Sequence, residues 1–197
     1  GLVWGKSVKF GVPFNKKKHT LELQDVGLTS LYIADCRALA EMAEILKRKK
    51  EQKELESRAK QYALKMEELW SPEFGAYLNY RTDVDSLSTR VSPTLFYPLM
   101  AKVGNDDKNK IIMEHFYNPE EFYGEWMLPS TTRNDPTFSR QRYWKGAIWP
   151  PLNFLTYLSL RQAGYTDAAT ELSEKSLKLI MTEWTRKGYV SENYSSI

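Results

Sequence analysis

The feature that most constrains this chain is a helical repeat of apolar residues, cut into pieces by glycine and proline. Leu28, Leu31, Tyr32, Cys36, Leu39, Ala43 and Leu46 recur at spacings of mostly three and four residues, which predicts a helix over 28–47. Leu55, Ala59, Tyr62, Ala63, Met66 and Leu69 predict a second over 52–69, ended by Pro72 and Gly75. A third starts after Ser92-Pro93, a cap and first-turn pair, carries Leu95, Phe96, Leu99 and Val103, and stops at Gly104. The fourth covers 106–117, with Ile111, Ile112 and Phe116 inward. The fifth covers 151–163 and the sixth 166–186, stopped by Gly164 and Gly188.

Between these lie shorter signals. Residues 1–18 lack helical periodicity and read as an irregular segment. Residues 76–81 alternate like a short strand, 83–88 read as a polar turn, and Val190 onward reads as another short strand. The stretch 118–142, with Pro119, Gly124, Pro129 and Pro136, is long and irregular; such loops are often functional. The result is an all-α chain of three successive helical hairpins with short strands in its loops. The first and third hairpins end alike: Trp70, Gly75, Tyr77, Tyr80 against Trp184, Gly188, Tyr189, Tyr194. A repeated helix pair suggests an array or a closed toroid. Joints rich in aromatics and carboxylates favour a toroid whose loops build a site at one end.

Charge narrows the partners. The net charge of +3 sits mainly in Lys16 to Lys18 and in Lys47 to Lys50, and the second run alternates into Glu51, Lys53, Glu54 and Glu56. That pattern is a solvated helix junction, not a nucleic-acid surface. No apolar run reaches the length of a membrane span, and no secretory signal peptide is visible, so the residues point to neither a cytoplasmic nor a periplasmic address. Cys36 is the single cysteine, which excludes an intrachain disulfide; at an apolar helical position it reads as buried and inert. His19 and His115 are too far apart in the pattern to suggest a metal centre, and no phosphate loop or other cofactor motif is present.

Aromatic content points to a ligand. Six Trp, twelve Tyr and eight Phe suit either a large core or the walls of a ligand cleft, since binding clefts use such side chains. Three loop segments carry the remaining candidates: Gly124 to Ser130 with Trp126, followed by Arg133 and Asp135; Tyr143-Trp144-Lys145-Gly146-Ala147-Ile148-Trp149-Pro150-Pro151 with Asn153; and Gly188 to Tyr194 with Glu192. Singly, each has an ordinary explanation: Trp144 and Trp149 as core, Arg133 and Asp135 as a turn ion pair, Glu192 as a surface carboxylate. Together they suit a carbohydrate. Sugar faces stack on indole and phenol rings, hydroxyls take Asp, Asn and Arg partners, and glycosidic cleavage requires carboxylates.

The 143–153 run, with Leu160-Arg161-Gln162-Ala163-Gly164-Tyr165 and Glu192-Asn193-Tyr194, resembles the closing third of glycoside hydrolase family 63. That family includes processing α-glucosidases and mannosylglycerate hydrolases and is similar to trehalases. The stretch from Leu21 to Leu28, with Leu39-Ala40-Glu41-Met42-Ala43 and Leu69-Trp70, resembles the middle of the same domain. The resemblance implies an (α/α)6 toroid and inverting hydrolysis of an α-glucoside or α-mannoside. It places Glu192 at the general-base position and Trp126, Tyr143, Trp144 and Trp149 as stacking or shaping residues. Arg133, Asp135 and Asn153 become polar contacts, and Lys145 stands where the family more often has Arg.

Two departures follow from the same resemblance. The family's general acid is an Asp in a Gly-x-Asp-x-Ser type segment, and the corresponding stretch reads Gly1-Leu2-Val3-Trp4-Gly5-Lys6-Ser7, with no carboxylate before Glu22. Asp25 has two readings, a place near the site and the cap of the first helix. A toroid of this kind has twelve helices and the sequence predicts six, so 1–197 is expected to be a single partial domain, about half a barrel. It is expected to be inactive alone and prone to self-association through exposed helix faces. A non-catalytic sugar-binding module and a helical-repeat interaction scaffold stay open beside the enzyme reading.

Overall fold

The computed structural model describes residues 12–197. Six α-helices carry it: α1 (Val26–Ile45), α2 (Lys49–Glu67), α3 (Tyr97–Met100), α4 (Asp106–Tyr117), α5 (Pro150–Gln162) and α6 (Thr166–Lys187). Seven two-residue strands decorate the joints: β1 (Phe14–Asn15), β2 (Thr20–Leu21), β3 (Leu23–Gln24), β4 (Trp70–Ser71), β5 (Ala76–Tyr77), β6 (Tyr80–Arg81) and β7 (Ser86–Leu87). They pair antiparallel: β1 with β2, β3 with β6, β6 with β7, and β4 with β5. The segment read as irregular therefore contributes one strand, β1. Its first eleven residues lie outside the described residues.

Helix α1 begins where the Asp25 side chain accepts a hydrogen bond from the Leu28 amide at 2.7 Å, while Asn79 Oδ1 takes the Val26 amide at 2.8 Å. Its buried stripe of Val26, Ile33, Cys36, Ala40 and Ala43 packs along α2, which offers Ala59 and Met66. Gly27 lets this helix approach the next layer closely: a Cβ there would stand 2.8 Å from Thr94 Cβ.

The third helix is shorter than its apolar pattern suggests. Pro93–Phe96 forms a 3₁₀ turn before the single α-turn Tyr97–Met100. Pro98 is the reason: it has no amide to bond Thr94, and its ring would crowd that carbonyl. Despite its length, α3 lies between α1 and α5 and is buried throughout. Phe96 meets Phe116 of α4 edge-on at 5.7 Å and Phe122 at 5.4 Å, which ties three segments into one core. Helix α5 packs on α6, and α6 ends at Gly188 with φ +75°, a left-handed stop that only glycine adopts cheaply.

The similar endings of the first and third hairpins fold differently. Trp70 packs edge-on against buried Tyr77 at 5.0 Å, whereas Trp184 and Tyr189 are 48% and 58% exposed. The first and last hairpins also expose apolar side chains: Met42, Ile45 and Leu46 near the end of α1, Phe154 on α5, and Leu177 and Met181 on α6. Among the described residues, no helix is long and apolar enough to cross a membrane.

Candidate functional site

The long 118–142 stretch is irregular but tightly bonded. The Asn118 carbonyl accepts the amides of Glu121, Phe122 and Tyr123. Arg133 then gathers the loop: its Nε donates to the Tyr123 carbonyl at 2.9 Å, Nη2 to Trp126 at 2.6 Å, and Nη1 to Ser196 near the C-terminus at 3.1 Å. Burial lowers the affinity of this guanidinium for its proton, yet it stays a cation because its normal value is so high. Gly124 leaves room for it, since a Cβ there would lie 2.5 Å from Nη2.

The 143–149 run forms the aromatic feature. Arg142 and Lys145 exchange backbone hydrogen bonds, so Tyr143 and Trp144 occupy the tip of a tight hairpin turn, with Tyr143 at φ +53°. A non-glycine residue in that region costs about 1–2 kcal/mol, a strain that tends to persist at functional sites. The turn is held from behind. Trp144 stacks on Trp149 at 3.9 Å and 14°, Tyr143 meets Trp149 edge-on at 4.8 Å, and the Trp149 indole donates to the Tyr143 carbonyl at 2.9 Å. Gly146 is required at φ +92°, where a Cβ would come within 2.4 Å of the Phe138 carbonyl. Ile148 pairs with Pro129 on one side and Tyr194 on the other, which brings the C-terminal segment beside the turn.

Tyr143, Trp144 and Lys145 line a cavity of about 1380 Å³, between the start of α1, segment 88–97, the 130–145 loop and α5. Ligand pockets commonly span roughly 300–1,000 Å³, so this space exceeds a monosaccharide's needs. Arg90, Arg140 and Arg142 also line it, against a single carboxylate, Asp25. The Arg90 guanidinium pairs with Asp135 at 2.9 Å. Burial pushes the Asp135 carboxyl up, but two hydrogen bonds from Thr137 and the Arg90 charge pull it below the usual aspartate range. Tyr97 and Thr131, both on the cavity wall, carry buried hydroxyls with no partner. No group of side chains able to hold a metal occurs among the described residues.

The structure thus gathers only part of the expected set around one space. Trp149 is buried behind Trp144 as its support. Trp126 packs with Ile148, Leu179 and Tyr194 in a separate cluster, with Lys178 Nζ 5.3 Å from its ring. Asn153 faces a smaller apolar groove between α5 and α6, where its Nδ2 donates to the Met127 carbonyl and Ser176 Oγ. Arg133 spends its donors on backbone carbonyls, and Asp135 reaches the cavity only through Arg90. Glu192 is exposed and is not among the cavity-lining side chains; it stands two residues before Tyr194, which exchanges both backbone hydrogen bonds with Ile148. The sequence reading missed Arg140 and Arg142, although their place just before the 143–149 run was the signal that could have found them. Arg90 had no local signal, because only folding carries it across to Asp135.

A family model described as the mannosylglycerate hydrolase MGH1-like glycoside hydrolase domain matches residues 10–196. The chain belongs to this glycoside hydrolase family. A mannosylglycerate hydrolase of Thermus thermophilus is 24% identical over 176 residues, covering 88% of this chain and 41% of the relative. The crystal structure of a GH63 mannosylglycerate hydrolase from the same species, solved with glucose, aligns with a TM-score of 0.77 at 22% identity, over 89% of this chain and 40% of that one. Neutral trehalase Nth1 of Saccharomyces cerevisiae aligns at 0.76 and 19% identity, over 93% of this chain and 36% of that one. The MGH1-like domain here therefore has the (α/α)6-type fold of the family 63 and trehalase enzymes. It spans about two fifths of the length of the curated relatives it matches.

Proposed function

We propose that this chain forms about half of an (α/α)6 toroid and supplies one wall of an active site that cleaves an α-glycosidic bond with inversion. The observation that carries the reading is the strained Tyr143–Trp144 tip, stacked on Trp149 and facing the large cavity. Such a platform accepts the apolar face of a pyranose, while Lys145 and the neighbouring arginines reach its hydroxyls. Trp149, Trp126, Arg133, Asp135 and Asn153 serve as the frame that fixes this wall.

The charge of the cavity favours an anionic aglycone. Arg140, Arg142 and Lys145 line it beside Arg90, whose charge Asp135 meets from outside the cavity, and the one carboxylate of the lining, Asp25, already caps α1. A glycoside of glycerate, the substrate type named for the Thermus relative, carries a carboxylate that such a wall would pair. In the inverting reaction a protonated carboxyl serves the leaving oxygen, and an ionised one strips a proton from water on the opposite face. Glu192 is assigned the second role on its resemblance to the family's general-base position alone, since its side chain is exposed and does not line the cavity of this wall. No side chain is assigned the first, so this chain alone is expected to bind without turnover.

Tryptophan fluorescence tests the binding half. Titration with α-mannosylglycerate should shift the emission of the 197-residue chain, and Trp144→Ala should weaken that binding at least tenfold. Equal binding by Trp144→Ala sinks the platform. In a protein that joins this wall to a proton donor, Glu192→Gln should abolish turnover and keep binding; retained turnover removes Glu192 from the mechanism.

A further inference from the structure

His115, in the last turn of α4, sits between two groups that can only accept. Its Nδ1 lies 2.5 Å from Glu121 Oε2 and its Nε2 lies 2.9 Å from the Phe74 carbonyl oxygen. A neutral imidazole has one N–H and one lone pair, so it can satisfy one of these partners and must turn a lone pair on the other; the imidazolium satisfies both. We propose that His115 is a protonation-dependent latch: as imidazolium it fastens the 118–135 loop to α4 and to the 71–75 turn, and on losing its proton it releases that loop.

The connections make the release consequential. The Glu121 carbonyl accepts the Arg133 amide at 3.0 Å and the Glu120 carbonyl accepts the Asn134 amide at 2.9 Å. Asp135 follows at once and holds Arg90 on the cavity wall. A turn freed at Glu121 therefore loosens the clamp of Arg133 and the seat of Arg90. On the other side the carbonyl cannot move away. Gly75, at φ +63°, packs so closely on α4 that a Cβ would lie 2.4 Å from Ile111 Cγ2, which holds Phe74 at the ring.

The surroundings favour the cation. Glu121 is the charged group in contact with the ring, in a pair whose side chains are 15% and 16% exposed. The same elements carry Glu73 on the 71–75 turn, Glu114 on α4 and Glu120 on the 118–123 turn, all exposed carboxylates, while Lys108 of α4 is bound to Glu67. Burial opposes the charge, but the hydrogen bond to Glu121, its negative charge and the backbone carbonyls outweigh it and raise the ring above the ordinary histidine range. A raised value in the folded state means stability that is fully present below the ordinary histidine value of about 6.5. It is lost as pH rises through the folded value.

The test is an NMR titration of the two histidines of the chain, with His115 assigned through its loss in His115→Gln or its shift in Glu121→Gln. His115 should titrate above the ordinary value of about 6.5, and Glu121→Gln should bring it down. The amide protection factors of Arg133 and Asn134 should fall as the ring deprotonates, and should not fall over that interval in Glu121→Gln. A midpoint at or below the ordinary value overturns the proposal, as does constant protection across the titration. Both overturning results are read in the wild-type chain, and Glu121→Gln supplies the assignment should His115→Gln fail to fold. Neither involves a sugar, so the result is independent of the glycosidase reading.

Discussion

Replacing Arg133 by methionine separates the role the sequence suggests for it from the role the structure gives it. The guanidinium donates to three backbone carbonyls, of Tyr123, Trp126 and Ser196, at 2.9, 2.6 and 3.1 Å. Each hydrogen bond from a charged donor contributes about 1.5–3 kcal/mol net, and a buried acceptor left bare costs about 1–3 kcal/mol. The three bonds would set a loss of roughly 4–9 kcal/mol, but burial of the guanidinium itself is unfavourable and the residue is only partly buried. A net destabilisation of about 3–4 kcal/mol follows, large against the 5–15 kcal/mol typical of a folded domain. Urea unfolding followed by tryptophan emission measures it, with the slope checked for constancy. Arg133→Lys should recover less than half, because one ammonium cannot span three carbonyls. A methionine variant within about 0.5 kcal/mol of wild type that nonetheless loses sugar binding would refute this reasoning and restore Arg133 as a substrate contact.

Three further outcomes are expected. Gly27→Val should destabilise the chain by about 2–3 kcal/mol in thermal unfolding, because its branched side chain meets Thr94 where a bare Cβ already comes to 2.8 Å. Asp135 should contribute stability above the ordinary aspartate value of about 3.9 and lose it as pH falls through its depressed folded value; Asp135→Asn should flatten that acid limb in a plot of melting temperature against pH. Sedimentation should show concentration-dependent association of the chain, and Phe154→Ser with Met181→Ser, at exposed apolar positions of α5 and α6, should reduce it.

Much of the fold was legible because helix signals are local. The predicted 106–117 coincides with α4, and the predicted 166–186 ends one residue from α6. Asp25 caps α1 as its position suggested, and Cys36 is buried. The third helix was overextended because apolar spacing masks Pro98, although Pro98 acts on the backbone directly. The candidate site was less legible, since chemical type is all that a sequence offers for ranking its residues. Type does not reveal whether a donor points at a ligand or at a carbonyl of its own chain, and Arg133 and Asn153 do the second.

By itself the order of residues determined five of the six helices and their stops, the place of the aromatic 143–149 run outside the helices, and the family. All of these arise from interactions a few residues apart or from a contiguous pattern. Only tertiary structure decided that Trp149 backs Trp144, that Arg90 crosses to Asp135, and that His115 is held between Phe74 and Glu121. Such contacts join segments up to about forty-five positions apart, and their direction depends on how whole helices pack.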